Sequence, residues 1–236
     1  MAAALARGLV DEVDGMLFAD SGSGRAAELA AELGGEALAA AEIADRADAI
    51  VLAVKPAALD AVAPELQDAE EIVSVLAATP LARLREAFPD ALILRTMPNV
   101  GVEIRQGVIC INGDALSPWV GAALERIAHV VEIEEDDFDG VTAVMGCAPA
   151  YLALAVEAIA DAGAEDGLDP KLARELIVET TAGTAELLRL HHPADVRRAV
   201  ASPGGSTEAG LEALDREGAR GAFAAAVVAS LERMRG

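Results

Sequence analysis

Three stretches of the first half are apolar almost without interruption: "DAIVLAVKP" at 48–56, "EEIVSVLAA" at 70–78 and "ALILRTMPN" at 91–99. A strand with one wet face alternates apolar and polar side chains, because successive residues point to opposite sides. Runs without that alternation need apolar cover on both faces, which a parallel sheet buried between helices provides. Segments of helical spacing lie between the runs: "GRAAELAAELGG" at 24–35 with its glycine stop, "ALDAVAPEL" and "PLARLREAF". The short run "MLFAD" (16–20) adds an earlier strand, and "GVICI" and "HVVEIEE" are expected to extend the sheet. The pattern predicts βαβ units and a parallel sheet with helices on both faces.

After Glu135 the strand signals stop. Segments 137–165, 170–190, 194–201, 203–217 and 219–235 all read as helix, with Gly163, Gly167, Pro170, Pro193 and Gly218 at the boundaries. The expected division is an α/β domain over 1–135 and an all-helical domain over 136–236. Apolar residues make up 53% and aromatics only 3%. The core is therefore built from Ala, Val, Leu and Ile, whose small volumes let helices approach closely.

The formal charge of −22 argues against nucleic acid or an anionic membrane as partner. No apolar run is expected to reach membrane-spanning length. Cys110 and Cys147 are too few for a disulfide framework and read as free thiols in a reducing, cytoplasmic compartment. His191 and His192 lack carboxylate or further histidine ligands at useful spacing, so no metal site is expected.

Residues 2–10, "AAALARGLV", read as a helix with nothing before them to start it. In a Rossmann dinucleotide fold an acidic residue lies about 20 positions after the Gly-rich turn. Asp20 closes the first visible strand, so counting back puts that turn just before Met1. The expectation is a Rossmann-type domain that lacks its first strand and its phosphate-cradling glycines.

"ASPGGSTEAGLEALD" (201–215) places a proline and two glycines at the head of a helix. Ser202 is expected as N-cap and Pro203 at the first helical position. The glycines then fall in the first turn, where backbone N–H groups lack partners and a carboxylate could reach them. An ordinary capped helix with loose glycines is the alternative.

"AVKP" (53–56), "RTMPN" (95–99), "GCAPAYLALAVEAIADAG" (146–163) and "VASPGGSTEAGLEAL" (200–214) together resemble the pyrroline-5-carboxylate reductases, in order along the chain. The resemblance implies a Rossmann domain followed by a helical dimerisation domain, a homodimer or larger ring, and reduction of pyrroline-5-carboxylate to proline with NADPH or NADH. It implies that Gly204, Gly205, Ser206 and Thr207 bind the substrate carboxylate, with Thr207 near the ring nitrogen as the catalytic contact. Ala53, Val54, Lys55, Pro56, Leu76 and Ala77 would line the cofactor, and Asn99 would contact its nicotinamide side. Asp20 suits a ribose hydroxyl, whereas Ser21, Ser23 and Arg25 suit a 2′-phosphate, and the balance favours NADPH. Departures from the family pattern are the absent glycine motif, "LAAAE" (38–42) where the family often has an Asn that contacts the adenosine, and "MGCAPAY", which puts Met145 and Cys147 where small residues are usual.

Two rivals stay open. A dehydrogenase of the β-hydroxyacid type would use a helix-borne lysine, and the only lysine besides Lys55 is Lys171. A chain without the phosphate loop could instead have a purely structural, dimerising role.

Overall fold

The computed structural model describes residues 1–235. Two compact units emerge: Met1–Cys147 together with Met234 and Arg235, and Ala148–Arg233.

The first unit opens with α1 (Ala2–Leu9), β1 (Leu17–Phe18), α2 (Arg25–Leu33), β2 (Glu36–Ala37) and α3 (Ala40–Ala44). It continues with β3 (Ile50–Leu52), α4 (Leu59–Val62), β4 (Glu71–Ser74), α5 (Leu81–Ala87) and β5 (Leu92–Pro98). Then come β6 (Gly107–Gly113), α6 (Pro118–Ile127), β7 (Ala128–Glu132) and the single turn α7 (Phe138–Val141). β1 and β2 pair in parallel as a sheet of their own, and the second sheet runs β3-β4-β5-β6-β7. No ladder joins β1 to β3 among the described residues, yet Leu17 packs on the core that holds Ile50, Leu52 and Ile72.

Consecutive residues of β4 and β5 show why the apolar runs lack alternation. Ile72 and Ile93 face a cluster with Leu59, Leu66, Leu84 and Phe88, while Val73 and Leu94 face the opposite cluster with Leu5, Leu9, Val120, Leu124 and Ile127. Each of these fully buried side chains contributes about 1.5–3 kcal/mol of transfer free energy. α1 presses against the turn after β5 so closely that a Cβ on Gly8 would lie 2.3 Å from the Val102 carbonyl oxygen.

The sheet departs from the all-parallel expectation at one seam: β5 and β6 are antiparallel. Only residues 99–106 connect them, too few for a crossover that would return the chain in the parallel sense. The Asn99 side chain holds this turn, its Oδ1 accepting from the N–H groups of Gly101 and Val108, each at 3.2 Å.

The second unit contains α8 (Ala148–Glu165), α9 (Pro170–Leu190), α10 (Pro193–Val200), α11 (Ser206–Arg216) and α12 (Ala219–Arg235, its last two residues grouped with the first unit). Asp169 caps α9 by accepting from Leu172 N–H at 3.0 Å, with Pro170 at the first helical position. The Tyr151 hydroxyl of α8 is hydrogen-bonded with Ser230 of α12. Only Ala160 and Ala173 are buried in this unit among the described residues, while Leu152, Leu154, Ile159 and Leu176 are each more than half exposed.

Two expectations are corrected here. The helix of "SPGGST" begins at Ser206 with Gly205 as its N-cap, so Ser202 and Pro203 lie in the preceding turn rather than at the cap and first position. The reason is Gly204, whose φ of +72° turns the chain before the helix can start. The membrane-length expectation also fails on length and composition. Helical turns run end to end from Glu135 to Glu165, 31 residues with a window of mean hydropathy 1.7. A π-turn at Thr142–Gly146 lies within this stretch.

Candidate active site

β3, β4 and β5 are parallel, so the segments that follow them leave the sheet at a common edge. In doubly wound sheets that edge is where ligands bind. After β3, Ala53 and Val54 are half-buried while Lys55 and Pro56 are exposed. Pro56 opens a 3₁₀ turn in which Ala58 N–H donates to the Lys55 carbonyl at 2.8 Å. After β4, Ala77 is exposed and Ala78 adopts φ +52°, a left-handed conformation unusual for alanine. Leu76 is 1% exposed and its side chain packs in the core, so only its backbone faces the sheet edge.

Asn99 follows β5 and is half-buried. Its oxygen is engaged by the two turn amides, and its Nδ2 reaches the Met145 carbonyl oxygen at 3.4 Å. Its backbone N–H donates to the Val108 carbonyl at 3.0 Å and its own carbonyl accepts from Val102 N–H at 3.3 Å, so what it can offer a ligand is its second Nδ2 hydrogen and the second lone pair of that carbonyl.

The loop after β1 is organised by Asp20. Oδ1 accepts from Gly22 N–H at 2.6 Å and Ser23 N–H at 2.7 Å, and Oδ2 from Ala26 N–H at 2.7 Å. These bonds, that from Ala26 first, hold its carboxyl below the usual carboxylate range. Positive φ at Gly22 (+89°) and Gly24 (+82°) lets the backbone wrap around it. Asp20 thus braces the loop with both oxygens, and the exposed Ser21, Ser23 and Arg25 form its outer surface.

In the helical unit, Gly205 N–H donates to the Ser202 carbonyl at 2.9 Å, and Gly204 N–H donates to Glu208 Oε2 at 2.6 Å. The amides of Ser206 and Thr207 find no acceptor among the described residues. Of the four residues expected to hold a carboxylate, two therefore present open amides at the positive end of α11. The Thr207 side chain is exposed beside them. Two open concavities of about 260 Å³ lie elsewhere in this unit, one lined by Ile159, Leu168 and Leu176, the other by Leu187, His191 and Val200.

Sequence reasoning missed Arg95, Glu135 and Glu208. Arg95, a lone charge inside an apolar strand, was the available signal for its ion pair with Glu135. Glu208 carried no signal, since a glutamate in the first turn is ordinary helix chemistry. His191 and His192 take no part in a cluster: His192 Nδ1 accepts from Ala194 N–H at 3.2 Å and caps α10. Cys110 is buried, which pushes its thiol up, and both cysteines are free.

A family model described as pyrroline-5-carboxylate reductase dimerisation matches residues 135–236, and one described as NADP oxidoreductase, coenzyme F420-dependent, matches residues 1–78. A pyrroline-5-carboxylate reductase of Synechocystis is 38% identical over 202 residues, spanning 81% of this chain and 76% of that protein. The chain belongs to the pyrroline-5-carboxylate reductase family. Another reductase of the family, from Thermus thermophilus, is 35% identical over 89% of this chain and 82% of its own length. The crystal structure of 1-pyrroline-5-carboxylate reductase from Streptococcus pyogenes superposes with a TM-score of 0.88 at 30% identity, covering 99% of this chain and 94% of that one. A Plasmodium falciparum pyrroline carboxylate reductase with NADP bound shares the fold with a TM-score of 0.86 at 24% identity, covering 98% of this chain and 92% of that one.

Proposed function

We propose that this chain reduces 1-pyrroline-5-carboxylate to L-proline, with NADPH as the preferred cofactor. The observation that carries the reading, beside family membership, is the pair of open amides at Ser206 and Thr207 in the "SPGGST" turn. An unpaired N–H at a helix head favours an anion, and the one negative group of the substrate is its carboxylate.

The residues present fit a nicotinamide dinucleotide at its two ends. Ser21, Ser23 and Arg25 offer hydroxyls and a planar cation to a 2′-phosphate, while Asp20 is already engaged by three backbone amides. Ala53, Val54, Lys55, Pro56 and Ala77 border the sheet edge, with Asn99 on the nicotinamide side. No residue of this chain is assigned to the pyrophosphate.

When bound, the reduced nicotinamide supplies a hydride to the imine carbon. The protein's part is alignment. Gly204 to Thr207 fix the carboxylate, and the Thr207 hydroxyl hydrogen-bonds the ring nitrogen. A protonated imine is already electrophilic, so no strongly shifted acid–base pair is required of the protein. In this reading residues 1–135 bind the dinucleotide, residues 136–236 bind substrate and join copies into a dimer or larger ring, and the enzyme works in the cytoplasm.

The test is oxidation of NADPH followed by absorbance with pyrroline-5-carboxylate, beside a fluorescence titration with NADPH alone. Saturable binding and turnover support the reading. Failure of both, with the protein folded, would leave the purely dimerising role.

A further inference from the structure

We infer that Glu208 is a built-in competitor for the substrate's carboxylate. The inference rests on the reading that residues 204–207 hold that group. Gly204 turns left-handed at φ +72°, and its N–H donates to Glu208 Oε2 at 2.6 Å, a short bond of the charge-assisted kind. Glu208 is the third residue of α11 and half-buried, in the same first turn as the open amides of Ser206 and Thr207. A glutamate at this position of a helix commonly reaches back to the N-cap amide. Here the N-cap amide, Gly205, is taken by Ser202, and the glutamate goes one residue further back.

The turn thus carries a carboxylate of its own on one of the amides assigned to the ligand. A second carboxylate arriving at Ser206 and Thr207 meets a like charge and must evict the side chain before it can use Gly204. Only the acid group of a ligand feels this competition. Glu208 therefore lowers affinity for the acid and sets how strongly the site prefers an acid to its amide.

The probes are L-proline and L-prolinamide, with binding measured by calorimetry in the presence of NADPH. In Glu208→Gln, which keeps size and loses charge, the ratio of proline to prolinamide affinity is expected to rise about two- to fivefold, the scale of an exposed charge interaction. Glu208→Ala, which also removes the acceptor, is expected to raise it at least as much. A ratio unchanged or lowered in both variants overturns the competitor role, since a glutamate that merely orders the turn would weaken binding when removed.

Ser206→Pro separates this result from failure of the underlying site. Proline is tolerated at the first helical position, and the extended Gly205 before it (φ −85°, ψ 167°) is compatible. The substitution deletes one open N–H. If Ser206→Pro weakens proline binding while the Glu208 variants change nothing, only the competitor role falls. If Ser206→Pro leaves proline binding intact, or proline does not bind at all, the carboxylate site falls and takes the inference with it.

Discussion

Arg95 and Glu135 are joined across the sheet: Arg95 Nη1 donates to Glu135 Oε1 at 2.6 Å, and the guanidinium lies 3.8 Å from the centre of the Phe138 ring. The same carboxylate oxygen accepts from Leu81 N–H at 2.8 Å. This pair, buried at Arg95 and half-buried at Glu135, thus ties β5 to the head of α5 and to the segment leading into α7. Arg95 Nε and Glu135 Oε2 remain without partners among the described residues, so the pair is only partly satisfied.

Removing one member strands the other. Glu135→Ala is expected to cost about 2–4 kcal/mol, because the Arg95 side chain is only 5% exposed and would be left unpaired. The double variant Arg95→Met with Glu135→Leu should cost less than that single change. Urea unfolding of the three proteins checks both statements.

Ala78 sits at φ +52° in the loop after β4. A left-handed alanine costs about 1 kcal/mol, which glycine avoids at some cost in unfolded-state entropy. Ala78→Gly is expected to leave stability unchanged or raise it by up to about 0.5 kcal/mol, whereas Ala78→Val should lower it by more than 1, about the β-branched penalty. Thermal denaturation reads the difference.

Asp20 gives a pH dependence with a definite sign. Its folded pKa is depressed below the ordinary value of 3.8 by the three amides. The carboxylate therefore favours the folded loop above that value, and the contribution is lost as pH falls through the lower, folded pKa. Asp20→Asn should abolish this acid-side component and raise the KM for NADPH, with kcat little changed, as a slackened loop presents Ser21 and Ser23 less well. Titrations of stability against pH, with steady-state kinetics, measure the two effects.

Arg25 tests cofactor choice. Arg25→Ala is expected to raise the KM for NADPH about tenfold, the scale of one charge-assisted hydrogen bond, while the KM for NADH moves little. Equal changes for both cofactors would place Arg25 away from the 2′-phosphate.

How far the sequence was legible follows from which residues act alone. Ile72 and Val73 could be read as doubly buried because adjacent apolar residues leave no wet face, and the same logic gave β3 and β5. β2 was invisible: two exposed residues, Glu36 and Ala37, carry no hydrophobic pattern and exist through pairing with β1. The antiparallel seam depended on the length of a connection, not on its composition. At the candidate site, "SPGGST" announced an exposed backbone, but the helix start slipped to Ser206 because a left-handed Gly204 outweighs a well-placed Ser-Pro. The backbone amides that engage Asp20 and Asn99 could not be read from the sequence, since such contacts leave no trace in spacing.

A helical unit that, among the described residues, keeps only Ala160 and Ala173 from water has almost no interior of its own. In the dimer proposed above, a twin would keep Leu152, Leu154 and Leu176 dry. Dilution should then act on this protein as a denaturant does, with a melting point that climbs as the solution is concentrated.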